Sequence, residues 1–290
     1  MSANLTRCTF AIISRPDAGK TTVTEKLLWF GGVVREAGKV KAKSGEFAKS
    51  DWMQMEQDRG ISITSSVMSY EYNDRAIHLL DTPGHKDFSE DTYRTLTAVE
   101  SVLMMIDGAK GVEGQTEKLM DVCRLRDTPV ITFINKFDRD SMDPFELIDN
   151  IEKKLNITCC PMTWPIGDGV DFKGVYDFKT KMIRSFSNKR DPFNPTIIDA
   201  SDLQAESLKK FLGNALHAKL IEDLQMVQEL IEPFSQELYL EGIQSPVFFG
   251  SALFNFGVKE VLDMITAHAP GPKKRVAKLA PYDLDAETIE

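Results

Sequence analysis

Phe10-Ala11-Ile12-Ile13-Ser14-Arg15-Pro16-Asp17-Ala18-Gly19-Lys20-Thr21 is the stretch on which the fold turns. Four apolar residues, Phe10–Ile13, read as a buried strand. The eight that follow match the spacing G-x-x-x-x-G-K-[ST], with Ser14 in place of the first Gly. A helical stretch, Thr21–Trp29, begins as the loop ends. Strand, loop and helix in that order gather loop N–H groups and a helix N-terminus around one point, which suits a phosphate. Lys20 would reach the outer phosphate oxygens, and the Thr21 hydroxyl would ligate Mg²⁺. Gly19 lets the backbone approach the phosphates, whereas Ser14 must accept a tight turn that Gly takes more easily.

Outward from this unit the rhythm repeats. Strands are expected at Ile77–Leu80, Val102–Ile106, Val130–Ile134 and Val247–Phe249, and helices at Ser89–Val99, Gln115–Arg126 and Phe145–Leu155. Alternation of this kind implies an α/β fold: a P-loop NTPase with a mostly parallel sheet and helices on both faces. The rhythm breaks between about 156 and 246. Turn residues Pro161, Pro165, Gly167 and Gly169 precede two strand-like runs, Val175–Phe178 and Met182–Phe186. A long helix from about Asn214 to Glu232 then carries Leu216, Leu220, Leu224, Val227 and Ile231 on one face, as a core-facing stripe. The expected organisation is a nucleotide domain of residues 1–155 and 247–272, an inserted α+β subdomain at 156–246, and a linker and tail at 273–290.

Each further motif starts where an expected strand ends, the edge at which open α/β sheets bind ligands. Asn135-Lys136-Phe137-Asp138 selects the base. The Asp138 carboxylate can accept from N1–H and the N2 amine of guanine together. Adenine offers neither donor and would leave a charged acceptor unpaired. The Lys136 stem can lie over the base face, and Asn135 can tie loops together. Gly250-Ser251-Ala252-Leu253 offers backbone N–H groups to guanine O6, a weak motif that gains weight from Asn135, Lys136 and Asp138. Its distance along the chain from Asn135 again demands an insertion. Asp81-Thr82-Pro83-Gly84-His85 supplies Asp81 to hold Mg²⁺ through a water, the Gly84 N–H for the γ-phosphate, and His85 to position the attacking water. In Arg59-Gly60-Ile61-Ser62-Ile63-Thr64 either Ser62 or Thr64 could be the hydroxyl ordered by Mg²⁺ and the γ-phosphate.

Composition narrows the partners. The chain has 290 residues and a net charge of −9, from 44 acidic and 35 basic residues. That balance argues against bulk binding to nucleic acid or anionic membrane. Cys8, Cys123, Cys159 and Cys160 form no CxxC pair and read as buried free thiols of a reducing compartment. No signal peptide or membrane span is read, so a cytoplasmic protein is expected. The tryptophans and methionines read as packing, and Lys273-Lys274-Arg275 as a solvated basic run.

Together the motifs resemble those of the translational GTPases. Ala48-Lys49-Ser50-Asp51-Trp52-Met53, Phe88-Ser89-Glu90-Asp91-Thr92-Tyr93-Arg94-Thr95-Leu96-Thr97-Ala98-Val99 and Thr163-Trp164-Pro165-Ile166-Gly167 are most similar to the bacterial peptide chain release factor three family, which also carries Ser at position 14. The resemblance, over roughly Thr6 to Pro272, implies GTP and GDP as ligands, with Asp17, Ala18, Gly19, Lys20, Thr21, Thr22, Gly84, Asn135, Lys136, Asp138, Ser251, Ala252 and Leu253 around them. It implies Thr21, Ser62 and Asp81 toward Mg²⁺, and Lys20 and Asp17 beside a catalytic His85, with a monovalent cation near Asp17. It implies the ribosome, through its sarcin–ricin loop, and stop-codon-reading release factors as partners. The insertion resembles the subdomain shared with elongation factor G. Arg15 stands where the family usually has His, and that family continues into two further β-rich domains. Two other readings stay open: a guanine-nucleotide-dependent binding switch with little hydrolysis, and an elongation-factor-G-like translocase domain.

Overall fold

A computed structural model describes residues 5–33, 66–82, 89–185 and 195–272. Its frame is a seven-stranded sheet. In chain order the strands are β1 (Thr6–Ser14), β2 (Ser66–Tyr72), β3 (Arg75–Asp81), β4 (Ser101–Asp107), β5 (Val130–Asn135), β6 (Thr158–Pro161) and, after a smaller sheet, β11 (Gln244–Phe249). Their spatial order is β2-β3-β1-β4-β5-β11-β6. Every pairing is parallel except β2 with β3. β1 lies between β3 and β4, so the chain moves to one side of it and then to the other. That reversal opens a crevice at the C-terminal end of β1, where ligands of such sheets bind.

Strand pleat explains the two-sided core. Along β1, Ala11 and Ile13 face one hydrophobic cluster, and Cys8, Phe10 and Ile12 face the other. β4 divides Val102, Met104 and Ile106 from Leu103 and Met105 in the same way. Strands buried on both faces read as continuous apolar runs. Helices α1 (Lys20–Phe30) and α8 (Val258–His268) cover one face. Helices α2 (Ser89–Thr97), α3 (Gly114–Arg124) and α4 (Pro144–Leu155) cover the other. α4 starts cleanly: the Asp143 carboxylate accepts from the Phe145 N–H, and Pro144 fills the first turn.

The smaller sheet has antiparallel order β10-β9-β8-β7, from β7 (Thr163–Ile166), β8 (Gly174–Asp177), β9 (Met182–Ser185) and β10 (Thr196–Asp199). Helices α5 (Glu206–Leu212) and α6 (Asn214–Leu230) follow, and a short α7 (Gln236–Leu240) leads into β11. On α6, Leu220, Leu224 and Val227 are buried, with Leu216 and Ile231 packed beside them. Trp164 is fully buried between Phe145 and Phe249, and its indole N–H donates to Asp223. The segment expected as an insertion opens differently. Its first strand, β6, pairs with β11 at the edge of the large sheet, and β11 starts at Gln244 rather than Val247. The small sheet itself begins at Thr163.

All four cysteines are free and buried, and burial raises the Cys8 thiol to about 11 and those of Cys123 and Cys160 to about 12. No helix among the described residues is long and apolar enough to cross a membrane.

Candidate functional site

The loop after β1 is shaped by two left-handed residues, Asp17 at φ 64° and Gly19 at φ 94°. A Cβ on Gly19 would collide with the side-chain amide nitrogen of Asn135, so only glycine fits. α1 begins at Lys20 with no side-chain cap and no acidic residue in its first turn. Its first N–H groups are therefore free for an anion. Ala18 is buried, Thr21 and Thr22 are half-buried, and Asp17 is exposed at the rim.

β3 brings Asp81 to the same point. Lys20 Nζ donates to Asp81 Oδ1 at 2.5 Å and to the Thr82 carbonyl, while the Thr82 hydroxyl donates to the Ile12 carbonyl at 2.7 Å. An ammonium has three protons, so one remains for a phosphate oxygen. Asp81 is 1% exposed, and its Oδ2 has no hydrogen-bond partner among the described residues. A buried carboxylate oxygen without a partner is costly, and a bound cation would relieve that cost. No three His, Cys, Asp or Glu residues converge as a metal cage among the described residues. The fit is to a hard ion that takes one carboxylate, a hydroxyl such as Thr21, and phosphate oxygens, as Mg²⁺ does.

β5 delivers the second half. Asn135 Nδ2 donates to the Ala18 carbonyl at 2.9 Å, and its Oδ1 accepts from the Ala252 N–H at 2.9 Å. One side chain thus joins the phosphate loop to the loop after β11. Lys136, at φ 78°, turns back to donate to the Asp17 carbonyl and to Asp107 Oδ2, the latter at 2.7 Å. Ser251 Oγ donates to Asp138 Oδ1 at 2.5 Å, and the Phe137 N–H donates to the Gly250 carbonyl. Leu253 stays at the surface, 36% exposed. Phe137 anchors the base loop against Phe249 and Phe172. The segment between β7 and β8 buttresses it from outside: the Gly169 N–H donates to the Phe137 and Arg139 carbonyls, and Asp168 accepts from the Ser141 N–H.

The described residues thus place Asp17–Thr22, Asp81, Asn135, Lys136, Asp138 and Ser251–Leu253 at one edge of the sheet. Ser62, Gly84 and His85 lie outside the described residues, as do Thr64 and the runs at 48–53 and 59–64. Arg15 is buried and holds Asp107 at 3.0 Å and Glu113, so its charge is already engaged. Asp107 itself went unnoticed in the sequence, although it ends β4 as Asp81 ends β3 and Asn135 ends β5. A polar residue closing an apolar strand was the signal. A cavity of about 810 Å³ opens at the opposite edge of the sheet, lined by residues such as Cys123, Thr158, Leu230 and Ile243. It contains no motif residue.

The family model for the elongation factor Tu GTP-binding domain matches residues 6–271. The chain belongs to that family. It is a GTP-binding, translational GTPase domain, and the match runs across every strand of the large sheet. A crystal structure of a protein from Thermus thermophilus is similar, with a TM-score of 0.72 at 22% identity over 92% of this chain and 40% of that one. At that identity the likeness concerns the fold, and this GTP-binding domain spans well under half the length of that protein.

Proposed function

We propose that this GTP-binding domain hydrolyses GTP to GDP and phosphate as the nucleotide domain of a release-factor-three-like translation factor, one that promotes departure of stop-codon-reading release factors from the ribosome. The observation that carries the hydrolytic reading is the Lys20–Asp81 pair. A buried ammonium with one proton to spare lies beside a buried carboxylate oxygen with no partner among the described residues, at an uncapped helix N-terminus. A bound Mg²⁺ would add charge neutralisation on the phosphate oxygens there. Lys20 would hold the outer phosphates, and the N–H groups of Gly19 to Thr22 would cradle them. Asp17 would stand at the rim, where a monovalent cation could join it. His85 would position the attacking water, Gly84 would contact the γ-phosphate, and Ser62 would supply the switch hydroxyl. Catalysis of this kind is positioning and electrostatics. Asp138 would read guanine through N1–H and N2, with Lys136 along the base; the Ser251 and Ala252 N–H groups expected toward O6 instead donate to the Phe256 carbonyl and to Asn135 Oδ1.

Arg15 is committed to Asp107 and Glu113, so no free arginine projects from the phosphate loop, and slow turnover without an activator is expected. Support for the termination role comes from the runs at 48–53, 88–99 and 163–167. The small sheet and its helices, about 162–243, would be the inserted subdomain between the two parts of the nucleotide domain. Phosphate release from GTP with and without 70S ribosomes, with ATP as control, tests the reading. Ribosome-stimulated, GTP-selective turnover supports it. GTP binding with turnover that ribosomes leave unchanged would favour the binding switch, and stimulation without loss of bound release factor would favour a translocase-like domain.

A further inference from the structure

Carbonyl- and carboxylate-centred bonds tie together the phosphate loop and the loops that follow β4 and β5. Two run through Asn135 and Lys136 themselves. Two more, one from the phosphate loop and one from the loop after β5, meet on Asp107. Its Oδ2 accepts from Arg15 Nη2 at 3.0 Å and from Lys136 Nζ at 2.7 Å, while its Oδ1 accepts from the Ala109 N–H at 3.0 Å. The residue is 3% exposed, and its own loop fixes the orientation of the carboxylate. Burial alone would raise its pKa, but the Lys136 and Ala109 hydrogen bonds and the Lys136 and Arg15 charges hold it below the ordinary value. Arg15 comes from the phosphate side and Lys136 from the base side. Without an ionised Asp107, Arg15 would keep Glu113 and Lys136 would keep the Asp17 carbonyl, but the link between the two cations would be lost.

We infer that Asp107 is a positioning residue that clamps the phosphate loop to the guanine loop through Arg15 and Lys136, and thereby sets how long a guanine nucleotide is held. The inference rests on the guanine-nucleotide reading of this edge. The clamp makes the two halves of the site move as one body: a nucleotide leaves only when both let go. Arg15 works here as a strut inside the loop, and its guanidinium is held by its two carboxylate partners. Asn135 bridges at the backbone level, and Asp107 adds a charge-dependent link that an amide does not reproduce.

The experiment uses the full chain and a GDP analogue labelled on the ribose with N-methylanthraniloyl. Dissociation is followed after adding excess GDP, and steady-state GTP turnover is measured alongside. Asp107→Asn keeps an acceptor for the Ala109 N–H, so the loop retains its local bond while the charge is lost. We expect dissociation about tenfold faster, in line with charge-assisted hydrogen bonds, and a KM for GTP about tenfold higher with kcat within about twofold. Arg15→Gln, the second variant should the first fold poorly, speeds release by about threefold to tenfold. Because Arg15 acts through Asp107, the double variant releases nucleotide no faster than Asp107→Asn alone. Release within about twofold of wild type in both single variants overturns the inference, as do additive effects in the double variant or a fall confined to kcat. A wild-type chain that does not hold the GDP analogue, or that ADP displaces equally well, overturns the guanine reading and the clamp with it.

Discussion

Two buried ion pairs of equal length serve different ends. Lys20 and Asp81 meet at 2.5 Å, with side chains 7% and 1% exposed, and Arg184 and Glu260 also meet at 2.5 Å, with side chains 22% and 7% exposed. The first joins a loop to the end of β3. The second joins β9 of the small sheet to α8. Length does not separate them and the second is only somewhat more exposed; surroundings separate them more clearly. Lys20 lies at an uncapped helix N-terminus on the C-terminal edge of the large sheet; unbonded atoms do not separate the pairs, because Asp81 Oδ2 in one and Glu260 Oε1 and Arg184 Nε in the other make no hydrogen bond among the described residues. Glu260 lies on a helix packed into the core, where burial drives its carboxyl above the ordinary range against the nearby Arg184 charge. A buried pair alone is weak evidence of function. A buried pair at an uncapped helix N-terminus on the ligand edge of a sheet is stronger.

The largest expected effect breaks the first pair. Lys20→Ala should lower GDP and GTP affinity by about 100-fold or more, since a charge-assisted contact to phosphate goes and Asp81 loses its partner. Calorimetric titration checks this, and retained affinity in a folded variant would make the pair a structural one like Arg184–Glu260. Arg184→Leu tests the other side. It should cost about 3 kcal/mol of stability, because Glu260 is left buried without its cation, while GDP affinity stays within about twofold. Urea unfolding and the same titration separate the two quantities.

Asp168→Ala sharpens the comparison, because the small-sheet segment also reaches the guanine loop. Loss of the Ser141 N–H acceptor should weaken GDP binding by about threefold, the worth of one hydrogen bond at a partly exposed site. Equal affinity in the variant would confine the segment to a packing role.

The smallest effect is in pH. A carboxyl raised in the fold adds stability below its unfolded value and loses it as pH climbs through the folded one. Glu260, raised from 4.5, therefore contributes most in acid and less toward neutrality. Asp107, lowered from 3.8, has the opposite sign: its contribution is present above that value and lost as pH falls. Glu260→Gln should flatten the neutral-side decline in urea midpoints measured from roughly pH 2 to pH 8, and Asp107→Asn the acid-side decline below about pH 4. Unchanged profiles in both would remove these two groups from the pH dependence.

What the sequence disclosed follows the same division. Residues expected to meet a ligand must hold fixed spacing after fixed strands, so the phosphate loop, Asp81, Asn135, Lys136 and Asp138 stand out as motifs, and the fold brings them to one edge of the sheet. Elements whose only demand is packing left fainter marks. α8 was not expected, although Val258, Val261, Leu262 and Ile265 share a buried face, because the glycine-bounded motif before it and the Pro-Gly-Pro after it mask a helix of only three turns. β2 was not expected either. Its inward residues, Met68, Tyr70 and Tyr72, alternate with outward Val67, Ser69 and Glu71, and an exposed Val67 blurs the pattern. β6 falls inside the stretch expected as the insertion, where turn residues such as Pro161 break the strand–helix rhythm, and its pairing with β11 places it in the large sheet. Arg15 was legible as an unusual cation, but its partners Asp107 and Glu113 come from a different loop.

The central claim is that this edge of the sheet reads guanine through Asp138. Competition against the labelled GDP by GDP, ADP and XDP, in wild type and Asp138→Asn, tests it most directly. Wild type should prefer GDP over ADP by about 1,000-fold or more, the scale on which unpaired polar groups discriminate. Asp138→Asn should move the preference to XDP, whose C2 carbonyl accepts from the new amide. ADP competing as well as GDP in wild type, or an unchanged order in a folded Asp138→Asn, would contradict the account.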